Sequence, residues 1–596
     1  MADSLLQTDV CIYGAGLGGV AAALAVLEEG RRVVLIEPTP WIGGQMTNQG
    51  VSALDEHQYI EAHPGTQSYG LLRNEIRLRS ARMHGITDID RTSYNPGNGW
   101  VSRLCFMPQI AVDILDDWFA PWIAAGTCVI LRETTLTAVE RHNAKLSALI
   151  CTAIAAGKVT CTAHAFVDAS ELGDLLEAAG CKTITGAESH ADTGELWAPL
   201  HARPEEVQGF TYSFAVEYVP NSHNVIPKPE GYLHLRDAQP FTLVLTGSDN
   251  QPRPFRVFSE GETGLPPFWT YRRIRDGEQC HPQQTDIALI NWNSNDYHSR
   301  TLIGANNVTY ASIIDEAKRL SLSFLYYLQT EVPRDDGKGL GYPELRLRTD
   351  IMGTADGLSM APYMRESRRT PGMVRITAND ILAETQVAAR ARHWPDTIGI
   401  GWYPMDLHPA PGNPTSRYEP TRPFQIPLGA LIPPDCSNLI CANKNIATTH
   451  LSNGSYRLHP VEWSIGHAAG ITLSVVLDHQ TTLQTLWSDN QGVMEVQRRL
   501  VDRGTEIAWA VDVLPSGSLF VGTQWMLTHA VIDPRSPRGD ALEVFADQPL
   551  TPVEYMNLCR AVSAAFGREW SDRIQPTSSW RTACETIQNA LIEILW

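Results

Sequence analysis

One stretch near the start constrains the fold of this chain more than anything that follows: TDVCIYGAGLGGVAAALAVLEEGRRVVLIEP, residues 8–38. Val10, Cys11, Ile12 and Tyr13 read as a short buried strand that glycine ends at once. Gly14, Gly16 and Gly19 then fall at the G-x-G-x-x-G spacing. The first glycine permits a tight turn, the second lets the backbone approach a pyrophosphate, and the third lets helix and strand pack closely. Residues 20–27, rich in alanine, read as the helix whose N–H groups and positive dipole end would face that pyrophosphate. Gly30 ends the helix, residues 32–36 read as a second strand, and Glu37 stands at its C-terminal end. A carboxylate there accepts hydrogen bonds from ribose hydroxyls and repels a 2′-phosphate, which argues against NADP in this site. Glycines alone would also serve plain helix–strand packing. The order strand, turn, helix, strand, acid makes the stretch a dinucleotide-binding unit.

The fingerprint does not separate FAD from NAD. The next segment, EPTPWIGGQMTNQGVSALDE (37–56), resembles the stretch after the acidic residue in glutathione-reductase-like flavoproteins, where paired glycines lie along the cofactor. The resemblance implies that Gly43, Gly44, Gln45, Thr47 and Asn48 lie against the pyrophosphate and flavin edge; a simple turn would use the two glycines equally well. Later segments are similar to one family, the FAD-dependent oxidoreductases, some of which carry a xanthan lyase-like label. These are FVDASELGDLLEAAG (166–180), PYMRESRR (362–369), RPFQIPLGALIP (422–433) and the strand, loop and helix of residues 438–477. The likeness places Asp168, Ala169, Gly173 and Asp174 where the chain passes adenine and pyrophosphate, and puts Asn445, Gly466 and Ala469 near the cofactor. It covers roughly residues 9–190 and 355–480.

What the resemblance implies is an α/β fold with a Rossmann-like FAD-binding domain of glutathione-reductase type, formed by residues 1–190 and 355–480. An inserted α+β substrate domain would occupy 191–354, and a mainly helical region 481–596. The cofactor would be FAD and the protein an FAD-dependent oxidoreductase of oxidase or dehydrogenase type. A helix beginning near Pro460 could aim its dipole at the flavin edge, where reduction leaves negative charge.

Such oxidation needs a base for the substrate's proton and groups that orient the substrate. His459, in YRLHPVE beside that helix, is the expected base; otherwise it is a buried histidine shaping the loop. Arg365, with Arg368, presents a planar fork that suits a substrate carboxylate, or it holds Glu366 and the local backbone. INWNSNDY (290–297) and IGIGWYPMDLH (398–408) combine aromatics with polar tips and could line a pocket, although core strands read the same way. No second dinucleotide fingerprint, redox cysteine pair, serine elbow or His-Glu-x-x-His motif is present. The expected reaction is a two-electron transfer from a small-molecule substrate to FAD, reoxidised by dioxygen or another acceptor. The alternatives are a monooxygenase reduced by NAD(P)H, and a protein that keeps FAD as a structural or non-redox cofactor.

Bulk properties set the remaining bounds. A length of 596 residues suggests about three structural units. The net charge of -19 argues against nucleic acid, which is bound by clustered Lys and Arg. No run of ~18 apolar residues predicts a membrane span, and residues 1–8 do not read as a secretory signal. Eleven scattered cysteines without a CxxC pair suit reduced thiols, no metal site and a cytoplasmic setting. GFTYSFAVEYVP (209–220) and FTLVLTG (241–247) read as strands, and 312–332 as an amphipathic helix. In the tail, 481–504 reads as a helix, and 547–567 as a capped helix stopped at Gly567. Self-association into a homo-oligomer stays open.

Overall fold

The computed structural model describes residues 4–246, 251–261, 264–529, 534, 541–566, 575 and 577–595. Its first strand, β1 (Ser4–Tyr13), leads into α1 (Leu17–Glu28) and β2 (Val33–Ile36). The strand starts before the apolar run because its polar N-terminal half also pairs, Ser4 with Val159 and onwards. Downstream come β3 (Cys128–Leu131), β4 (Thr134–His142), β5 (Lys145–Ala153) and β6 (Gly157–Asp168). β3, β2, β1 and β6 run parallel, with Val10 opposite both Val33 and Ala165. The N-terminal half of β6 carries the antiparallel β4–β5 hairpin, and its C-terminal half pairs in parallel with Leu439–Cys441. A Rossmann-like sheet is thus completed by a strand from far downstream.

α1 is apolar around nearly its whole circumference and almost wholly buried, as a helix between two layers must be. The helix His459–Asp478 lies across it. A Cβ on Gly466 would stand 2.0 Å from the Gly18 carbonyl oxygen, so these two small residues set how close the helices come.

Residues between the two halves of this core form a four-stranded antiparallel sheet, in the order Arg273–Arg275, Ile287–Ile290, Phe214–Tyr218, Leu345–Leu347. Asn307–Thr330 packs on it through Ile313, Leu320, Phe324 and Leu328, which recur at helical spacing in a second apolar cluster. The expected helix starts five residues early because Asn306 accepts from Thr309 N and caps it. The tail supplies Leu483–Ser488, Asn490–Asp502, Phe520–Thr528, Pro552–Phe566 and Trp580–Leu595. The single helix expected over 481–504 is broken at Asp489, whose side chain accepts from Gln491 N and starts a new one. The stop expected at Gly567 lies outside the described residues. Among the described residues, no helix is long and apolar enough to cross a membrane.

Candidate functional site

At the end of β1, Gly14 turns the chain with φ +97°, in the region that favours glycine. A Cβ there would lie 2.2 Å from the Ala169 carbonyl oxygen, so the turn also lets the ends of β1 and β6 meet. Gly16 caps α1 without a side chain and leaves the first-turn N–H groups open. Gly44 comes so close that a Cβ on it would lie 2.7 Å from Gly16 Cα. Glu37 stands at the end of β2. Its Oε2 accepts from Ala15 N at 2.9 Å, and its Oε1 from Thr39 N at 3.0 Å and Asn48 Nδ2 at 3.2 Å. Burial pushes the Glu37 carboxyl up to about 7. Gly14, Gly16, Glu37, Gly44, Ala169 and Asp174 all line one cavity.

Gln45 Oε1, Asn48 Oδ1 and Gln49 Oε1 are buried with no hydrogen-bond partner, and Asn48 and Gln49 line this same cavity. Buried polar groups ordinarily find partners. An open helix N-terminus suits a diphosphate, a carboxylate at the strand end suits a ribose, and unpartnered amides suit the polar edge of a ring system. The residues present fit FAD.

Glu171 works against a diphosphate in this cradle. Its Oε1 lies 3.0 Å from the Cβ position of Gly16, and its carboxylate is held by Lys444 Nζ and, at 3.2 Å, by Asn443 Nδ2. Lys444 also donates to Glu462 at 2.9 Å. Substituting Glu171→Gln removes a like charge from beside the helix end and leaves Lys444 less neutralised. We expect FAD to bind about threefold to tenfold tighter, measured by flavin fluorescence as FAD is titrated onto apoprotein. Unchanged affinity would remove Glu171 from the diphosphate's surroundings.

Other residues expected at the cofactor serve the scaffold. Both carboxylate oxygens of Asp168 are committed, to Ser170 N and Oγ and to Leu176 N, so its side chain braces the turn after β6 rather than facing the cavity. Asn445 Nδ2 donates to the Asp168 carbonyl oxygen at 2.9 Å and ties that turn to the loop after Leu439–Cys441. Gly173 starts the short helix Asp174–Ala178 with φ +69°. Gly466 and Ala469 are buried where His459–Asp478 meets α1 and line no part of the cradle. Gly43 turns the loop with φ +107°, Thr47 Oγ1 donates to Ile42 O at 2.7 Å, and Gln45 Nε2 donates to Arg457 O at 2.9 Å. These three shape the cradle from behind.

Beyond the extended segment 361–365 lies a larger cavity of about 550 Å³. Pro362 and Met364 face the cradle while Tyr363 and Arg365 face the larger space, the alternation an extended chain imposes. Residues of the insert and of the nucleotide-binding layer build this second cavity together: Arg272 and Trp292 from the first, Asp55, Asp406, His408 and Arg457 from the second. Arg365 donates to the Gly209 carbonyl at 2.9 Å and to Asp296 Oδ1 at 2.9 Å. His408 joins the same group, with Nδ1 2.5 Å from Asp296 Oδ2 and Nε2 3.3 Å from Asp406 Oδ2. Burial alone would raise the Asp296 carboxyl, but Arg365 and His408 outweigh it and hold Asp296 well below the usual carboxylate range. Asp406 is held down in the same way by His408 and Arg457.

The expected base does not have a free nitrogen. His459 Nδ1 accepts from Asp55 N at 3.1 Å and Nε2 donates to Val51 O at 3.2 Å. Both ring nitrogens therefore pin the loop under the cavity. Burial depresses the imidazole to about 4. Substituting His459→Ala orphans two buried backbone groups at about 1–3 kcal/mol each, and the melting temperature should fall by several degrees. The wild type's advantage should be complete above the ordinary histidine value of 6.5 and be lost as pH falls toward about 4, because the unfolded chain binds a proton that the buried ring refuses. Melting of both proteins across this range measures it. A kinetic defect with no loss of stability would return His459 to the role of base.

His408 was visible only as the last residue of an aromatic-polar segment, and Asp296 as one polar tip in another. The signal that could have singled out His408 is Asp406-x-His408 around the strand Met405–Leu407, which puts both side chains on one face.

The sequence model of the family described as "FAD dependent oxidoreductase" matches residues 9–500. No curated protein matches the chain. Among solved structures it is similar to L-proline dehydrogenase from P. horikoshii, at 15% identity over 31% of this chain and 25% of that one, TM-score 0.16. It is similar to a geranylgeranyl bacteriochlorophyll reductase-like protein from Thermoplasma acidophilum, at 10% identity over 96% and 99%, TM-score 0.30. A variant of E. coli quinol fumarate reductase FrdA aligns at 10% identity over 98% and 87%, TM-score 0.32. With its FAD-fitting cradle and a family match over most of its length, the chain belongs to the FAD dependent oxidoreductase family.

Proposed function

We propose that the protein removes two electrons from a small organic substrate bound in the 550 Å³ cavity, with dioxygen or another acceptor regenerating the cofactor. The observation that carries this reading is the Asp296–His408 pair at the cavity wall, fixed from behind by Arg365. When bound, FAD supplies the acceptor for the hydride that leaves the substrate carbon. Gly14, Gly16 and Gly44 would hold it through backbone, Glu37 through the ribose, and Asn48 and Gln49 through the ring edge.

Asp296 has no exposed surface and is also held by Thr211 Oγ1 and the Arg365 guanidinium, so it orients the His408 ring and favours a proton on Nδ1. With Nε2 unprotonated, a substrate hydroxyl or amine placed between Nε2 and Asp406 at the cavity surface would give its proton to Nε2. The imidazolium so formed is the state in which His408 holds Asp296 and Asp406 down. The insert, residues 191–354, roofs this space with Tyr271, Arg272 and Trp292, which supports reading it as a substrate-covering domain. All eleven cysteines are unpaired, which supports a reducing, cytoplasmic setting.

The test is an absorbance spectrum of the purified protein before and after denaturation, followed by anaerobic addition of candidate substrates, NADH and NADPH. Flavin bands released on denaturation and bleached by an organic substrate would support the proposal. Bleaching by NADH or NADPH alone would favour a monooxygenase. A flavin inert to every reductant would overturn a redox role.

A further inference from the structure

We propose that the large cavity recognises an uncharged, ring-shaped polyol, of the sugar or cyclitol kind, and not a carboxylate. The inference rests on the reading above only for the location of the substrate. Arginines are prominent in the cavity wall, which taken alone would suggest an acid. Yet Arg272 is paired with Asp55 at 3.3 Å, Arg457 with Asp406 at 3.2 Å, Arg417 with Glu419 at 3.0 Å and Arg365 with Asp296 at 2.9 Å. Asp55, Asp406 and Glu419 themselves face the cavity. A substrate carboxylate would meet a protein carboxylate beside three of these guanidiniums. At those positions it could bind only by breaking an ion pair or by lying against like charge, and both cost affinity.

A hydroxyl group has the complementary chemistry. It donates one hydrogen bond and accepts others, so a single hydroxyl can bridge the guanidinium and the carboxylate of one pair. Arg272 Nε and Arg457 Nε are buried without a partner, each on a side chain paired to a cavity-facing aspartate, so both guanidiniums keep donor capacity beyond their ion pairs. Tyr363 adds a hydroxyl that accepts from Arg457 at 2.9 Å. Several alternating donor and acceptor positions around one space suit a molecule carrying several hydroxyls.

The rest of the wall is aromatic. Trp100 stacks on Phe255 with centroids 5.8 Å apart and planes 10° apart, and lies 4.8 Å from Tyr271. Trp292 meets Tyr271 edge-on at 5.1 Å. Flat apolar surfaces beside hydrogen-bonding pairs match a ring whose C–H faces are apolar and whose rim is polar. A benzoate-like acid would satisfy the aromatics and leave the acid–arginine pairs unanswered.

Saturation-transfer NMR on the FAD-loaded protein tests this, with D-glucose, myo-inositol and cellobiose as neutral probes and D-glucuronate and benzoate as charged ones, all at millimolar concentration. The expected result is ring-proton signals from at least one neutral probe, weakened about fivefold or more in Trp100→Ala and in Tyr418→Phe. Tyr418 lines the same cavity, and its substitution removes only the hydroxyl. Both residues are partly exposed, at 38% and 43%, so both variants keep the fold. Signals from the charged probes alone would overturn the proposal, as would neutral signals indifferent to both substitutions, or no signal from any probe. Flavin absorbance recorded in the same samples keeps the two readings apart. Polyol binding without bleaching would sustain recognition and count against oxidation of that probe. Bleaching by D-glucuronate without polyol binding would do the reverse.

Discussion

Substituting His408→Gln should lower the rate constant for anaerobic flavin reduction by the substrate about 10²–10⁴-fold while FAD content stays unchanged. Glutamine keeps a donor toward Asp296, so the buried carboxylate is not left unpaired and the cavity keeps its shape; only the exchangeable proton is lost. His408 lines the large cavity and not the cradle, which is why the cofactor should still bind. Added imidazole should restore part of the rate, because a small base can enter a space of about 550 Å³. A purely structural histidine would show no such rescue. Stopped-flow traces at several substrate concentrations separate the effect on the chemical step from one on binding. A loss below about tenfold would mean that the proton leaves by another group, with Asp406 as the next candidate, and would end His408's role as base.

Asp296→Asn is the less clean variant, and the reason is electrostatic. Asp296 neutralises Arg365 inside the protein, where neither side chain is more than 3% exposed. An uncompensated charge there costs about 3–5 kcal/mol, so a kinetic loss would be mixed with a loss of fold. The same pairing weighs against Arg365 as a substrate clamp. Its guanidinium donates to Gly209 O, Thr211 Oγ1 and Asp296 while Nε has no partner, and its proposed part in the chemistry is to hold the carboxylate that holds His408.

How much of this was legible in the sequence follows from the range of each interaction. β1, α1 and β2 could be read residue by residue, because a strand, a glycine turn and an apolar helix are local patterns. The placing of Leu439–Cys441 beside β6 could not, since three apolar residues carry no address; the family likeness supplied only that a strand there belongs to the cofactor-binding domain. Glu37 was legible because its position follows from the end of β2. His459 was legible as a residue beside the helix that starts near Pro460, but the choice between base and loop-shaping histidine rests on Val51 and Asp55, some four hundred positions away. Gly466 read as a cofactor contact because small residues serve any close approach, and here the approach is of one helix to another. The Asp296–His408 pair joins two segments 112 residues apart, and no periodicity within either announces it.

The glycine fingerprint carries the other large effect, and its glycines should not behave alike. In Gly14→Ala the new methyl group would sit 2.2 Å from Ala169 O and 2.6 Å from Ser170 N, on backbone with φ +97°. Neither β1 nor β6 can move aside, since each is held between neighbours in the sheet. Strain and overpacking together cost about 3 kcal/mol or more, and the variant should purify colourless with a sharply lowered melting temperature. In Gly16→Ala the methyl group meets only Glu171 Oε1 within 3.0 Å, the far end of a flexible side chain, and the backbone there is ordinary. That protein should fold with nearly the wild-type melting temperature, yet bind FAD about tenfold to a hundredfold more weakly, because the methyl group fills the approach to the open helix end. Melting of the FAD-free forms, set beside FAD titration, reads the two effects separately. If both variants melted early and to the same extent, Gly16 would be a packing glycine, and the diphosphate would have to be sought away from the N-terminus of α1.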